Sequence, residues 1–250
     1  FLVGVSGAGS TIIVLPALTV LLPSLLPYTC SYHIAVTTTL ATACTAALVS
    51  TIKHYRKKNI EVKFWLKITP VYLLTGILGP ECVNIMPLNL FHTILALLLV
   101  IYSILIVFNV AYRDKKISLV RGKTYEIYCV ACCAGMISSM GGVATGMIMV
   151  PYLSSFLPRQ KAIATSVASA CVGCLIAVLS YVIFATLKSQ KPLPNYSIGY
   201  IYLPVYLVLA TAICIATPVG IKMSEHIPTK GINHILALLI LCSAVYVGLN

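Results

Sequence analysis

Charged side chains are scarce in this sequence. Asp, Glu, Lys and Arg together make up 9% of the 250 residues, whereas hydrophobic residues make up 60%. A soluble domain carries about 25% charged residues. So little charge cannot cover a folded chain with polar surface, and the mean hydropathy of +1.00 points to the bilayer as its solvent. Composition therefore excludes an ordinary soluble domain and predicts membrane segments of about 20 residues each.

Motifs for enzymatic chemistry are also missing. The sequence contains no cluster of metal ligands with recognisable spacing, no P-loop and no Gly-x-Ser-x-Gly. We therefore predict no catalytic residue, no metal site and no cofactor. Ionisable residues in the apolar segments include His33, Glu81, His92 and Glu126. They lie near segment ends, where a position at the membrane interface is the simplest interpretation.

The positive charge is concentrated in two places. The net charge is +12, and most Lys and Arg residues lie in the stretches 53–63 and 112–124, between apolar runs. This distribution is typical of the positive-inside rule rather than of a nucleic-acid-binding surface. We predict a multi-pass protein of the cytoplasmic (inner) membrane of a prokaryote, with both basic loops on the cytoplasmic side and no nucleic-acid partner.

The apolar runs are long and continuous, which favours helices over strands. The chain begins at Phe1 inside an apolar stretch, so we expect the natural N-terminus to precede it. The predicted fold is an all-α polytopic membrane protein with about eight segments. These fall at about 1–22, 33–52, 64–82, 88–111, 125–157, 161–187, 198–221 and 231–249.

Two sequence motifs occur in the same order in each half. A Gly-rich run ending in Pro spans Gly7–Pro16 and again Gly142–Pro151. A second motif, Ala35–Thr39, corresponds to Ala162–Ser166. This order predicts a duplication, with four membrane segments in each half. The predicted units are a first repeat at 1–112, a basic cytoplasmic connector at 113–124 and a second repeat at 125–250.

Charge counts bear on the topology of the Gly-rich segments. If every segment spans the membrane, 13 Lys and Arg residues lie on the cytoplasmic side and 4 on the opposite side. If 125–157 instead enters and leaves on the cytoplasmic side, the numbers become 15 and 2. The second arrangement fits the positive-inside rule better. It predicts that the first segment of each repeat is broken or re-entrant at its Gly-rich loop, and it favours inverted over parallel repeats.

The Gly-rich loops are the predicted substrate site. Glycines can break a membrane helix, and the N-terminus of the half-helix that follows offers free N–H groups to an anion. Close packing of helices is the alternative explanation for the glycines. Hydroxyls of the second motif could complete a polar cavity, or could bond their own helix backbone. The predicted substrate-binding residues are Gly7, Gly9, Ser10, Thr11, Thr37, Thr38, Thr39, Gly142, Ala144, Thr145, Gly146, Thr165 and Ser166.

The ten cysteines lie mostly in apolar stretches, where Cys behaves as a small hydrophobic residue. Cys171 and Cys174 form a Cys-x-x-Cys on a predicted membrane helix, so they share one face. No His or carboxylate partner accompanies them in the sequence, and packing is the expected role.

These motifs resemble those of the sulfite exporter TauE/SafE family of membrane permeases over nearly the whole chain. The two Gly-rich runs resemble the family's Gly-x-Gly-Gly-Gly stretch, and the second motif resembles its Ala-Val-Gly-Thr-Ser. Further similarities are His54–Glu61, Gly199–Pro204 and Gly220–Lys222 before Pro228. Several expected glycines are replaced, by Ser10, Thr37, Ala144, Thr145 and Ala164. These departures leave the fold assignment intact but loosen the inference about substrate.

The resemblance implies a secondary transporter that moves a small sulfur-containing anion, such as sulfite or a sulfonate, bound between the two Gly-rich half-helix termini. The expected partners are that anion and the lipid bilayer, with a homo-oligomer as an open option. Two other functions stay open from the sequence. One is a passive anion channel, and the other is a membrane structural or redox protein acting through its cysteines.

Overall fold

The computed structural model describes residues 14–15, 17–19, 21–22, 31–87, 124–141, 145–188 and 193–223, with scattered positions in 90–104 and 238–245. These residues are almost entirely helical. The elements are α1 (Ser31–Arg56), α2 (Val62–Ile85), α3 (Thr124–Gly141), α4 (Gly146–Leu153), α5 (Arg159–Lys188), β1 (Ser197–Ile198), β2 (Ile201–Tyr202) and α6 (Leu203–Met223). The helices α1, α2, α5 and α6 are each long and apolar enough to cross a membrane.

The predicted helical character is confirmed, and the helix ends follow local chemistry. The chain leaves α1 through Lys58, whose φ of 56° reverses its direction. The residue after α2, Met86, is extended because Pro87 follows it and disfavours the helical conformation. Pro204 lies in the first turn of α6, where its missing N–H has no helical partner to lose.

The prediction differs from the structure at residues 197–202. The apolar run at 198–221 predicts a helix from its first residue, but its first residues form a two-stranded antiparallel hairpin. Its turn contains Gly199 at a φ of 56°, which a helix cannot accommodate. The helix α6 therefore begins only at Leu203.

The apolar run at 125–157 is broken at its glycines. Helix α3 ends at Gly141, and α4 begins at Gly146 after Thr145. The predicted runs at 1–22, 88–111 and 231–249 lie wholly or largely outside the described residues, so the eight segments stay a prediction.

Glycines allow α2 to pack closely against α3 and α5. A Cβ on Gly79 would overlap the Ser139 side chain, and a Cβ on Gly135 would overlap Thr75. A Cβ on Gly173 would come within 2.9 Å of the Tyr72 ring. Packing is therefore the role of these three glycines, none of which belongs to the predicted site. The contacts advance in the same direction along α2 and α3, so these helices run parallel.

Helices α2 and α5 are also parallel. The backbone N–H of Glu61, just before α2, bonds Thr165 near the start of α5. Further along, Tyr72 contacts Gly173. In the same way α1 and α6 are parallel, because Tyr202 bonds Thr38 and Lys53 donates to the Pro218 carbonyl at 3.2 Å.

The central pair of long helices, α1 and α5, is antiparallel. Only residues 57–61 separate α1 from α2, so those two helices run in opposite directions. Since α2 and α5 are parallel, α1 and α5 run in opposite directions as well. Of the four long helices, α1 is the most enclosed and α6 the least, with 72% and 17% of their most apolar windows buried.

An ion pair fixes one end of the helix bundle. The Lys161 ammonium lies 3.2 Å from the Glu61 carboxylate, so the start of α5 and the start of α2 share one end. Helix α3 runs parallel to α2, and only residues 154–158 separate α4 from α5. The chain from α3 to α4 therefore leaves this end, turns between Gly141 and Gly146, and returns to it.

Candidate functional site

Two threonines of the second motif make matching hydrogen bonds between the halves. The Thr38 hydroxyl accepts the Tyr202 N–H at 3.1 Å, and the Thr165 hydroxyl accepts the Glu61 N–H at 3.0 Å. Thr38 and Thr165 are the fourth residues of Ala35–Thr39 and Ala162–Ser166. Each donor immediately precedes a long helix of the opposite half. The two contacts are thus equivalent, and each threonine can still donate its own proton.

These bonds predict a matched pair of stability losses. Thr38→Val or Thr165→Val keeps the side-chain shape but leaves a backbone N–H without its acceptor. We expect each variant to lower the free energy of unfolding by about 1–3 kcal/mol, the usual result for an unsatisfied buried group. Denaturant unfolding of the solubilised protein measures this loss.

Thr42→Val is the matched control. Thr42 is equally buried on α1, but its hydroxyl bonds the Thr39 carbonyl of its own helix. We expect a loss smaller than in Thr38→Val, about 1 kcal/mol or less, since that carbonyl also lies within the helical bonding pattern. If Thr42→Val lost as much stability as Thr38→Val, a hydrogen bond between the halves would contribute no more to stability than a hydrogen bond within one helix.

A polar cluster surrounds the start of α4. The Thr145 hydroxyl donates to the Ser138 hydroxyl at 3.0 Å across the break between α3 and α4. Tyr72 of α2 and Cys174 of α5 lie against the same group. All four side chains are buried, although Thr145 alone belongs to the predicted site. Helices α2, α3 and α5 thus bring two hydroxyls and one thiol to Thr145, which directly precedes α4.

The Tyr72 hydroxyl is the unusual member of this cluster. Tyr72 is 1% exposed, and its hydroxyl lies beside Thr145 but makes no hydrogen bond of ordinary geometry. A buried donor without an acceptor costs about 1–3 kcal/mol. The first N–H groups of α4, as at any helix N-terminus, have no partner further back within the helix itself. An anion here would satisfy both kinds of donor.

Other buried hydroxyls of α1 and α5 divide into two classes. Thr37, Thr39 and Ser166 are completely buried and make no hydrogen bond within the described part of the chain. Back-bonding, the alternative explanation, holds instead for Thr42 and Ser169, which bond carbonyls of their own helices. Thr39 and Ser166 occupy the last position of their motifs, so the same unsatisfied hydroxyl occurs in each half.

The predicted residues are not gathered into one described cluster. Thr145 and Gly146 lie at the start of α4, whereas Thr38 and Thr165 bond backbone groups near helix starts. Sequence reasoning missed Tyr72, which packing alone brings to this cluster, and Ser138, which lies seven residues before Thr145 and outside both motifs. The remaining predicted residues, Gly7, Gly9, Ser10, Thr11, Gly142 and Ala144, lie outside the described residues.

The described side chains of the cluster at the start of α4 are hydroxyls and a thiol rather than carboxylates or amines. No group of three His, Cys, Asp or Glu side chains suited to a metal occurs in the described ranges. A cavity of about 630 Å³ lies elsewhere, between the helical residues of 14–22 and the start of α6. Its lining is almost wholly apolar and includes Leu18, Leu21 and Val208. It therefore offers an anion few hydrogen-bond donors.

Comparison with known proteins identifies the family. The model of the family described as sulfite exporter TauE/SafE matches residues 1–247. The chain belongs to the TauE/SafE family. Its membership, together with the apolar helices, makes it a multi-pass membrane transporter, as the resemblance of the motifs implies.

Two relatives of this TauE/SafE protein carry consistent names. A probable membrane transporter protein of Haemophilus influenzae is 25% identical over 250 residues, covering 98% of this chain and 92% of the relative. A probable membrane transporter protein of Methanocaldococcus jannaschii is 24% identical over 209 residues, covering 81% and 74%. No solved structure matches the chain.

Proposed function

We propose that this TauE/SafE protein is a secondary transporter, without enzymatic activity, that moves a small sulfur-containing anion such as sulfite or a sulfonate across the cytoplasmic membrane. The observation that carries the proposal is the unsatisfied Tyr72 hydroxyl at the start of α4. A sulfite or sulfonate oxygen accepts hydrogen bonds and carries negative charge, which the positive end of a helix stabilises.

The anion site that we propose is neutral. Tyr72, Ser138 and Thr145 supply hydroxyl donors, and the N–H groups at the start of α4 supply the partial positive charge. Such a site binds an anion through dipoles without a buried cation, so the protein without its substrate does not have to bury a charge. The unsatisfied hydroxyls of Thr39 and Ser166 are proposed to give the anion further donors along the path between α1 and α5.

We also propose the topology that the charge counts favour. The ion pair between Glu61 and Lys161 supports placing the start of α5 on the same side as the basic loop 53–63, which is then cytoplasmic. The segment at 125–157 would be re-entrant, through α3 and back through α4. With α1 and α5 as equivalent helices, their antiparallel packing supports inverted repeats at 1–112 and 125–250, joined by the connector 113–124.

Flux into liposomes tests the function. Purified protein reconstituted into liposomes is expected to carry sulfite inward with saturation kinetics, and a simple alkanesulfonate should compete with it. Saturation follows from alternating access, because each anion must occupy the site before the protein changes state. Protein-free liposomes give the background rate.

Two results would contradict the proposal. If no sulfur-containing anion crosses faster than through protein-free liposomes, the substrate class is wrong. If flux rises linearly with anion concentration and shows no competition, the protein is a passive channel, the alternative that the sequence leaves open.

A further inference from the structure

The last turn of α1 places an ammonium group against α6. The Lys53 Nζ donates to the Pro218 carbonyl at 3.2 Å, near the ends of these two parallel helices. Within the described residues, the carboxylate of Glu61 pairs with Lys161, and no carboxylate reaches Lys53. An ammonium has three protons to donate, so this contact leaves two for other acceptors. A partly buried cation with one neutral acceptor is incompletely compensated for the water that it loses.

Two buried hydroxyls flank this contact along the chain. Ser50 precedes Lys53 by three residues on α1, a spacing that makes the two side chains neighbours on the helix surface. Thr217 directly precedes Pro218 on α6. Both Ser50 and Thr217 are only 1% exposed, and neither hydroxyl has a hydrogen-bond partner within the described part of the chain.

Bonding to their own helix does not explain these two hydroxyls. Thr45 on α1 and Thr211 on α6 donate to carbonyls three or four residues earlier, a common arrangement for a hydroxyl in an apolar helix. Ser50 and Thr217 make no such bond, although they lie on the same two helices. A buried hydroxyl without a partner destabilises the fold. An acceptor that reaches both hydroxyls and the ammonium would remove that cost.

We propose that Ser50, Lys53 and Thr217 form a second anion site, at the ends of α1 and α6, for small oxyanions such as sulfite or a sulfonate. The ammonium supplies a full positive charge, and the two hydroxyls donate to other oxygens of the same anion. A small free anion fits the site better than the phosphate of a lipid headgroup, because the hydroxyls are almost completely enclosed.

The position of this site explains why it uses a cation, whereas the site at the start of α4 is neutral. Both α1 and α6 end here, and the end of a helix carries partial negative charge, which repels an anion. Arg56, Lys57 and Lys58 follow Lys53 and offset that charge. Because Lys53 is partly exposed, water screens its contacts, and we expect this to be the weaker of the two sites.

A role in transport follows from the proposed topology. The ends of α1 and α6 then face the cytoplasm, so the second site loads or releases the anion on that side. This role rests on the proposed function, whereas binding of the anion does not.

Fluorine NMR of trifluoromethanesulfonate tests binding directly. The full chain is placed in nanodiscs of zwitterionic phosphatidylcholine, with Tyr72→Phe as the background so that the site at α4 contributes little. We expect saturable binding that sulfite competes away, and an affinity at least about fivefold lower when Lys53→Gln is added. The new amide can still donate to the Pro218 carbonyl, so this loss reports the charge. Lys63→Gln removes an exposed charge near the same helix ends and should change the affinity less than about twofold.

Three results would overturn the proposal. Equal losses in Lys53→Gln and Lys63→Gln would show only general attraction to the basic loop. If phosphatidylglycerol in the bilayer abolished the binding even at high ionic strength, the ammonium would be a contact for lipid headgroups. Ser50→Ala and Thr217→Val should each weaken binding without lowering the unfolding midpoint, so unchanged affinity in both would exclude the hydroxyls as ligands.

Flux distinguishes this site from the proposed function. In the liposome assay, we expect Lys53→Gln to raise the KM for sulfite at least about threefold and to leave the maximal rate unchanged, because uniform binding is lost. If the wild type carries no anion but binds trifluoromethanesulfonate through Lys53, the proposed function fails and the second site stands. If flux is normal and no binding depends on Lys53, the second site fails and the function stands.

Discussion

Tyr72→Phe is expected to cut saturable sulfite flux at least tenfold while leaving the protein as stable as the wild type, or slightly more stable. The substitution removes one hydroxyl that has no hydrogen bond of ordinary geometry. Hydrogen bonds to charged groups contribute about 1.5–3 kcal/mol, which corresponds to roughly a tenfold to hundredfold loss of affinity. Removing an unsatisfied buried hydroxyl, by contrast, removes a cost to the stability of the protein without anion.

Tyr181→Phe provides the matched control. Tyr181 is also fully buried, but its hydroxyl donates to the Met140 carbonyl at 3.3 Å. This variant should lose about 1 kcal/mol of stability and keep its affinity for sulfite. Tyr72→Phe should therefore lose affinity for sulfite but not stability, whereas Tyr181→Phe should lose stability but not affinity. If Tyr72→Phe keeps normal flux, or loses stability as Tyr181→Phe does, the hydroxyl is a structural group rather than a ligand.

Gly79→Ala is expected to give the largest stability loss of any single added methyl group in the described helices. The new Cβ would overlap Ser139, whose hydroxyl donates to the Thr75 carbonyl at 2.8 Å. Helix α3 must then move away from α2. Overpacking of this kind costs about 1–3 kcal/mol, and the unfolding midpoint of the solubilised protein measures it.

A second substitution tests the cause. Ser139→Gly removes the atoms that the new methyl group meets, so Gly79→Ala should cost much less in a Ser139→Gly background than alone. This coupling in a double-mutant cycle is the expected signature of direct overlap. Leu78→Ala, at a position 53% exposed, should change stability by less than Gly79→Ala. Simple additivity of Gly79→Ala and Ser139→Gly would contradict the close packing of α2 on α3.

The sequence predicts helices well where composition alone decides. The predicted runs at 33–52, 64–82 and 161–187 fall inside α1, α2 and α5, because apolar runs of this length bury their backbone groups only as helices. It fails at 198–202, where the turn at Gly199 interrupts an apolar run. The break between α3 and α4 falls at the glycines that predict it, since they lower helix propensity in the middle of an apolar run.

The predicted site depends on information that no single segment contains. Thr145 is predictable because it follows a Gly-rich run and begins a helix. Tyr72 lies in an unremarkable apolar stretch, and only the packing of α2 brings it to Thr145, whereas Ser138 meets Thr145 across the break between α3 and α4. Packing of α1 against the start of α6 separates the roles of Thr38 and Thr39, neighbours whose hydroxyls the sequence treats alike. Thr38 accepts a backbone N–H, and Thr39 has no partner among the described residues.

Equilibrium binding of sulfite to the purified protein tests the central claim most directly. Titration calorimetry on the wild type, Tyr72→Phe and Tyr181→Phe measures the affinity of each at the same pH and salt concentration. Binding at the start of α4 predicts saturable binding to the wild type and Tyr181→Phe, with affinity at least tenfold lower in Tyr72→Phe. Equal affinity in all three proteins, or no saturable binding to the wild type, would contradict it.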